Sequence, residues 1–205
     1  EFMLLTNKTV AKHIHDNFKN KNSFIYRVHD VPEEEKINSL FYIIKKLGYD
    51  INTINSNTLS NSLNSLLKNI KGKPEQKLIE TLTIRTMQKA KYSTKNIGHY
   101  GLGFNFYTHF TSPIRRYPDL IVHRLLTEKK EKQNLKKLEI ISNHCSEKEK
   151  NASLAERDSV KYMQTKFLKD KVGEIFNGII TGVTEWGIYV ELVKNKCEGL
   201  VKINN

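Results

Sequence analysis

The residues best suited to chemistry in this 205-residue chain are two adjacent arginines, Arg115 and Arg116, in the segment Thr111–Tyr117. A guanidinium group presents planar, paired donors that match phosphate oxygens, and it can stabilise charge that develops on a phosphate under attack. Pro113 disfavours helix at the residue before it, so we expect an extended bend that places both arginines in or near the first turn of a helix. The residues alone leave two interpretations open: phosphate binding by the arginines, or two arginines that lie on the surface or pair with Asp119.

The charge of the chain favours a polyanionic partner without establishing one. Lys and Arg number 34 against 22 Asp and Glu, which gives a formal net charge of +12, and such an excess attracts nucleic acid at long range. A lysine-rich composition that follows from AT-rich coding is the alternative explanation, and the many Asn, Lys and Ile residues also suggest it.

Two classes of protein are disfavoured by what the sequence contains. No apolar run approaches twenty residues, so we expect no membrane span. Cys145 and Cys197 stand far apart without a CxxC or CxxH partner, which predicts neither a zinc site nor a disulfide framework. A reducing cytoplasm fits this cysteine usage best.

Helical patterns dominate the first 170 residues. A short strand is predicted at Phe24–Val28, and the three glycines of Gly98–Gly103, interleaved with aromatics, cannot form a regular helix. No Gly-Lys-Ser/Thr follows these glycines, so we expect closely packed backbone there, not a phosphate-binding loop. Apolar residues at intervals of three and four predict helices over 1–18, about 33–47, 59–70, 75–92, 117–126 and 135–168, the last as one helix or as two joined near Cys145.

Past Gly173 the apolar periodicity changes from helical to alternating. Three strands are predicted before residue 205, fewer than the five of an OB barrel. The sequence therefore predicts an α+β protein with a mostly helical domain over residues 1–170 and an incomplete β-domain over residues 171–205.

The segment His99–Gly103, followed by Tyr107–Arg124, resembles the signature region of the RNB catalytic domain of the RNase II/RNase R family, and within it RNase R most closely. The resemblance covers essentially the whole chain. Glu1–Leu5 is similar to the family's acidic-then-hydrophobic helix, Tyr26–Asp30 to its Tyr-Arg-x-His-Asp/Glu segment, and Ala155–Asp158 to its motif in the helix leading out of the domain. Residues 1–170 are thus identified as the C-terminal part of an RNB catalytic domain.

The resemblance implies a processive 3′-to-5′ exoribonuclease that hydrolyses single-stranded RNA to nucleoside 5′-monophosphates. A non-catalytic RNA-binding protein derived from this fold is the alternative. By the resemblance, Arg115 is the catalytic arginine on the scissile phosphate and Glu156 lines the pocket for the terminal nucleotides. Arg116 and Tyr117 support them, and Glu1 corresponds to one of two adjacent acids, one of which reaches the RNA ribose.

The family's magnesium is held by a cluster of aspartates upstream of the matching regions, whereas the aspartates of this chain are isolated in sequence. Metal-assisted phosphoryl chemistry needs carboxylates that converge on the ion. We therefore expect magnesium in the full-length parent, no metal ligands in this chain, and no activity from this chain alone. The parent is expected to be a monomeric cytoplasmic enzyme that binds single-stranded RNA.

Gly173–Leu192 resembles the start of the OB-fold RNA-binding domain that follows the RNB domain in these enzymes, so residues 171–205 are expected to form a truncated β-barrel. Trp186, Tyr189 and Phe176 are expected on a face where bases stack, a contact worth roughly 1–3 kcal/mol per base. A place in the protein core is the alternative for each of the three rings.

Overall fold

The computed structural model describes residues 1–17, 24–50, 56–127 and 134–202, with side chains from Leu59 onward in the helix that begins at Ser56. Two compact units divide the chain at residues 1–148 and 149–205. The α+β prediction is confirmed. In chain order the elements are α1 (Phe2–Asn17), β1 (Tyr26–Val28), α2 (Glu34–Lys46), α3 (Ser56–Asn69), α4 (Gln76–Thr86), β2 (Lys91–Ser93), a 3-10 turn (Tyr100–Leu102), α5 (Tyr117–Thr127), α6 (Leu135–Lys169), β3 (Gly178–Thr184), β4 (Gly187–Leu192) and β5 (Glu198–Lys202).

Helices α2, α3 and α4 pack into a cluster of their own in the first unit. Each carries apolar residues at helical spacing, so one face of each helix is removed from water and stabilises the cluster. Glutamates in the first turn of α2 and lysines in its last turn match the helix dipole. The buried side chains of this core are Leu40, Ile44, Leu59, Leu63, Leu66, Ile70 and Ile79.

A second core lies around the two-stranded sheet of β1 and β2, which pair antiparallel with Arg27 opposite Tyr92. Helices α1 and α5 contribute one group of its side chains, and α5 and the start of α6 contribute another. This core supports the backbone that carries the candidate site. Its buried residues are Ala11, Ile14, Phe24, Tyr26, Val28 and Val122 in one cluster, and Ile25, Tyr92, Ile121 and Leu138 in the next.

The helix predicted over residues 75–92 is shorter than its apolar spacing suggested. Helix α4 ends at Thr86, Met87 is extended, and Lys91–Ser93 forms strand β2. Tyr92 is only 4% exposed, so pairing with β1 and burial of this ring prevail over the local helical pattern. The correction matters because it places Tyr92 opposite Arg27.

The glycine-rich segment Gly98–Gly103 packs directly against His29, which confirms the expectation of closely packed backbone. The N–H of Gly101 donates to Nδ1 of His29 at 2.8 Å, and a Cβ on Gly101 would lie 3.2 Å from the ring. The other ring nitrogen, Nε2, lies 2.5 Å from the carbonyl oxygen of Gln88. Because Nδ1 accepts a hydrogen bond, Nε2 carries the hydrogen and donates it to the carbonyl oxygen of Gln88. The ring therefore connects the segments that contain His29, Gln88 and Gly101.

The second unit consists of the later part of α6 and an antiparallel meander of β3, β4 and β5. The three predicted strands are confirmed, and Leu135–Lys169 is one helix, so the alternative of two helices is wrong. The register shifts between Ile180 and Gly182, as at a β-bulge. Gly187 has a φ of +149°, and a Cβ there would lie 2.3 Å from a carbonyl oxygen of β5. Within the described ranges, no helix has the length and apolar character needed to cross a membrane.

Candidate active site

The turn from Ser112 to Arg116 is held from inside by Asp119. The backbone N–H groups of Arg115 and Arg116 donate to the carbonyl of Ser112 at 3.3 and 3.1 Å. Asp119, in the first turn of α5, is 0% exposed and accepts the N–H of Ser112 at 2.8 Å. Its carboxylate therefore fixes the start of the turn, as a capping side chain does at a helix N-terminus.

The two arginines have different environments. Nη2 of Arg116 lies 2.8 Å from Oδ1 of Asp119 in an ion pair whose side chains are 20% and 0% exposed. Arg115 is exposed. The predicted position of both arginines is confirmed, since they lie in the turn that immediately precedes α5. Arg116 pairs with Asp119 and anchors the turn, whereas Arg115 extends into solvent. Phosphate binding by these arginines stays a prediction.

The segment that leads into this turn, Tyr107–Phe110, is fixed by contacts from three elements. Its first carbonyl accepts the backbone N–H of Arg27 at 3.0 Å. The buried side chain of Asn7 on α1 accepts the N–H of Phe110 at 3.0 Å and donates to the hydroxyl of Tyr107 at 3.1 Å. Nε2 of His123 on α5 donates to the carbonyl of Phe110 at 2.9 Å, with the two rings stacked 3.9 Å apart. The backbone approach to the arginines is therefore rigid.

His109 lies in the middle of this segment and is surrounded by positive charge. Its Nδ1 is 2.9 Å from the hydroxyl of Tyr92. Burial, which is the largest cause, and the nearby charges of Arg116, Arg27 and Arg115 together lower the pKa of His109 from 6.5 to about 3. The imidazole is therefore neutral at physiological pH.

The sequence did not identify four residues of this site as functional: Arg27, Tyr92, His109 and Asp119. The segment containing Arg27 was noted only as a family-like motif. Asp119 was considered only as a possible ion-pair partner. The sequence offered no indication of Tyr92, because the apolar residues before it follow a helical pattern. The strand that positions its ring could not be predicted from that pattern.

In the second unit, a groove of about 550 Å³ lies between α6 and the β4–β5 region. It brings together Glu156 and Tyr189, both predicted to contact RNA, and Lys161 also lines it. Gln164 on α6 donates to the carbonyl of Lys196 at 3.1 Å and so links the two walls. The volume is in the range of small-ligand sites. A nucleotide unit can fit in a groove of this size.

The other predicted RNA-binding residues are accessible. Trp186 is 77% exposed in the turn between β3 and β4, and Tyr117 at the start of α5 is 51% exposed. Phe176 and Tyr189 are exposed to a smaller extent, 37% and 38%. Glu1 is exposed at the residue before α1. Their roles in RNA binding stay predictions.

The described residues do not by themselves fit a metal centre. No three His, Cys, Asp or Glu side chains converge in residues 1–17, 24–50, 56–127 and 134–202 in a way that could hold an ion. Asp119 accepts bonds from Ser112 and Arg116 instead. We therefore assign no metal ligand within these ranges.

Residues 1–132 match the model of the RNB domain, and residues 169–205 match that of the S1 RNA binding domain. The chain belongs to the RNB-domain family, which confirms the resemblance seen in the sequence. The compact units divide at residue 148, between the two matches. The boundary predicted at residue 170 stays a prediction.

Ribonuclease R proteins are among the particular relatives. Ribonuclease R of Aquifex aeolicus (strain VF5) is 43% identical over 210 residues, which cover 99% of this chain and 29% of that protein. Mycoplasma genitalium RNase R in complex with ribose methylated single-stranded RNA has a TM-score of 0.83 at 32% identity, over 98% of this chain and 33% of that one. Yeast Ssd1, a pseudonuclease, has a TM-score of 0.79 at 25% identity, over 98% of this chain and 26% of that one. The chain thus spans a third or less of the length of these relatives.

Proposed function

We propose that this chain is part of a processive 3′-to-5′ exoribonuclease that hydrolyses single-stranded RNA to nucleoside 5′-monophosphates. The observation that carries the proposal is the Ser112–Arg116 turn, in which buried Asp119 holds Arg116 while Arg115 stays exposed. A guanidinium presented from a rigid turn is pre-organised for a phosphate, so little reorganisation opposes the reaction. Similarity to the ribonuclease R proteins supports the same function.

Each predicted site residue has a role in this proposal. Arg115 donates to the oxygens of the scissile phosphate and stabilises the charge that grows there in the transition state. Arg116 and Tyr117 support the turn, and Glu1 accepts a ribose hydroxyl. In the second unit Glu156 contacts the 3′-terminal nucleotides. The aromatic residues expected to stack on bases are Trp186, Tyr189 and Phe176.

We propose a divalent metal, magnesium, as the cofactor of the parent enzyme, with its ligands outside these 205 residues. The roles above belong to side chains of this chain and need no contact with that ion. The protein is proposed to act as a monomer in the cytoplasm, since its two cysteines, far apart in sequence and without a CxxC motif, fit a reducing environment. The 205 residues alone are expected to be inactive, and magnesium-dependent release of mononucleotides by them would contradict this placement of the metal ligands.

The test uses the full-length protein and a 5′-labelled single-stranded RNA with magnesium. We expect mononucleotides to be released one at a time from the 3′ end. Arg115→Ala should lower kcat by at least about a hundredfold, because the lost interaction is stronger in the transition state, and should change the Kd for RNA by less than about threefold. Arg85→Ala, which removes an exposed arginine from α4, is the charge-matched control. Equal losses of binding and turnover in Arg115→Ala would contradict the assigned role.

The second candidate is a non-catalytic RNA-binding protein with the same fold. The observation that favours it is the match to yeast Ssd1, a pseudonuclease, over 98% of this chain. The same assay separates the two candidates. Tight binding of single-stranded RNA with no release of mononucleotides in magnesium would identify the binding protein.

A further inference from the structure

Helix α1 and the segment Gly103–Phe106 enclose a small groove of about 210 Å³ in the first unit. None of its residues belongs to the Ser112–Arg116 turn or to the contacts that hold that turn. Its described lining contains two lysines and no acidic side chain, so the groove is suited to an anion. The lining residues are Lys8, Lys12, Gly103, Phe104, Asn105 and Phe106.

Two ring contacts connect α1 to this segment. Nζ of Lys8 lies 4.8 Å from the ring centroid of Phe104. Two turns further along α1, the ring centroid of His15 lies 4.3 Å from that of Phe106. Lys12 follows Lys8 by one turn and precedes His15 by another, so all three residues share one face of the helix. Both lysines therefore reach the groove between these contacts.

The wall opposite α1 is fixed by hydrogen bonds of its own. The backbone N–H of His99 donates to the carbonyl of Phe104 at 2.8 Å, and the N–H of Phe104 donates back at 3.3 Å. The carbonyl of Asn105 accepts the side-chain amide of Asn96 at 2.9 Å. Phe106 packs against the core between α1 and α5. The groove is therefore pre-organised, and little ordering of this wall opposes the binding of a ligand.

The positive charge of the two lysines is not neutralised by a described partner. Within residues 1–17, 24–50, 56–127 and 134–202 neither Lys8 nor Lys12 forms an ion pair, and this includes Asp16, one turn after Lys12. The ring of Phe104 does not neutralise the ammonium group of Lys8, whose N–H donors on the side away from the ring stay available. A bound anion would bring the missing negative charge.

We propose that this groove is a further RNA contact, in which Lys8 and Lys12 together bind one phosphate group of the RNA strand. Compact ammonium charges with several donors suit phosphate oxygens. At about 210 Å³ the groove is smaller than the sites of about 300–1,000 Å³ that hold whole small molecules, so it fits a phosphate and not a complete nucleotide. Phe104 and Phe106 form its walls and are assigned no stacked base.

The ligand is an RNA strand because the groove is close along the chain to two proposed RNA contacts. Glu1, the proposed ribose contact, immediately precedes α1, and Lys8 lies about 10 Å further along the helix at a rise of about 1.5 Å per residue. Phe106 directly precedes the Tyr107–Phe110 segment that leads to Arg115. The inference rests on the proposed function in this one respect, that it takes RNA as the ligand.

The test measures RNA affinity against salt concentration, with the full-length protein in EDTA and a fluorescent single-stranded RNA. Each phosphate contact to a single strand contributes about 0.7 to the slope of log K against log salt. The double variant Lys8→Gln/Lys12→Gln should therefore reduce the slope by about 0.7 and weaken binding at low salt by about tenfold. Lys8→Arg/Lys12→Arg keeps both charges and should keep the slope.

Matched controls separate this groove from basic surface in general. Lys136→Gln/Lys137→Gln removes the same charge from exposed lysines at the start of α6 and should leave the slope within experimental error of wild type. Asn105→Asp keeps both lysines of the groove and adds a negative charge to its lining, so it should weaken binding by at least about threefold. Asn64→Asp adds the same charge at an exposed position of α3 and should have no measurable effect.

The proposal is overturned if folded Lys8→Gln/Lys12→Gln keeps the wild-type slope and affinity, or if the control pair on α6 loses as much slope. Should the double variant of the groove fail to fold, Asn105→Asp decides, and binding as tight as that of Asn64→Asp overturns the proposal. Failure of the proposed function looks different. Release of mononucleotides in magnesium with an unchanged slope refutes this site alone, whereas a reduced slope without release of mononucleotides refutes hydrolysis alone. A wild-type protein that binds no RNA refutes both.

Discussion

Replacement of Asp119 tests whether the Ser112–Arg116 turn owes its shape to one buried carboxylate. Asp119 is 0% exposed and accepts two bonds of 2.8 Å, from the N–H of Ser112 and from Nη2 of Arg116. In Asp119→Ala both donors lose their acceptor. The turn should then loosen, and with it the fixed position of Arg115.

The magnitude follows from the two lost contacts. An unpaired buried N–H costs about 1–3 kcal/mol, and removal of one partner from a buried ion pair costs about 3–5 kcal/mol. The side chain of Arg116 is 20% exposed, so water can hydrate part of it, and both contributions should lie at the lower ends of their ranges, for a total of about 4 kcal/mol. Asp119→Asn keeps an oxygen that can accept from Ser112 and Arg116, and we expect a loss of about 1 kcal/mol.

The assay is urea unfolding of full-length Asp119→Ala and Asp119→Asn, together with hydrogen exchange of the peptide that contains Ser112. The free energy of unfolding should fall in the order wild type, Asn variant, Ala variant, and exchange in the turn should rise in the same order. Asp50→Ala, at an exposed aspartate of the first unit, is the control and should change stability by less than about 0.5 kcal/mol. An Ala variant as stable as this control, or an Asn variant as unstable as the Ala variant, would refute the reasoning.

Three other predictions concern the groove, the glycine-rich segment and acid stability. Glu156→Ala should weaken binding of an RNA with a free 3′ end more than of one whose 3′ end is blocked, measured by anisotropy in EDTA; equal weakening would contradict contact with the terminal nucleotides. Gly101→Ala should lower stability by about 1–3 kcal/mol in thermal unfolding, because its Cβ would lie 3.2 Å from His29, while Gly199→Ala, with open space around it, should be nearly neutral. The pKa of His109 is lowered to about 3 in the folded protein, so at mildly acidic pH the unfolded chain binds a proton there and the folded protein does not. The free energy of unfolding should therefore be highest above about pH 6.5 and fall as the pH drops towards about 3. Urea unfolding at about pH 7.5 and 5 measures this loss, which should be smaller in His109→Gln; an equal loss would exclude His109 as its source.

The helices could be predicted because their determinants are local. Apolar spacing placed α1, α2 and α3 close to their observed ranges, and the change of periodicity past Gly173 located three strands. The end of α4 could not be predicted in this way. Strand β2 forms because it pairs with β1, which lies far away along the chain. The residue pattern near Tyr92 does not predict that pairing.

The candidate site was predictable in its residue types but not in its electrostatics. The sequence placed Arg115 and Arg116 next to Asp119, and it could not decide which arginine would pair. The structure makes the choice through burial, since the carboxylate lies fully inside and only Arg116 reaches it. Arg115 is left exposed by that pairing.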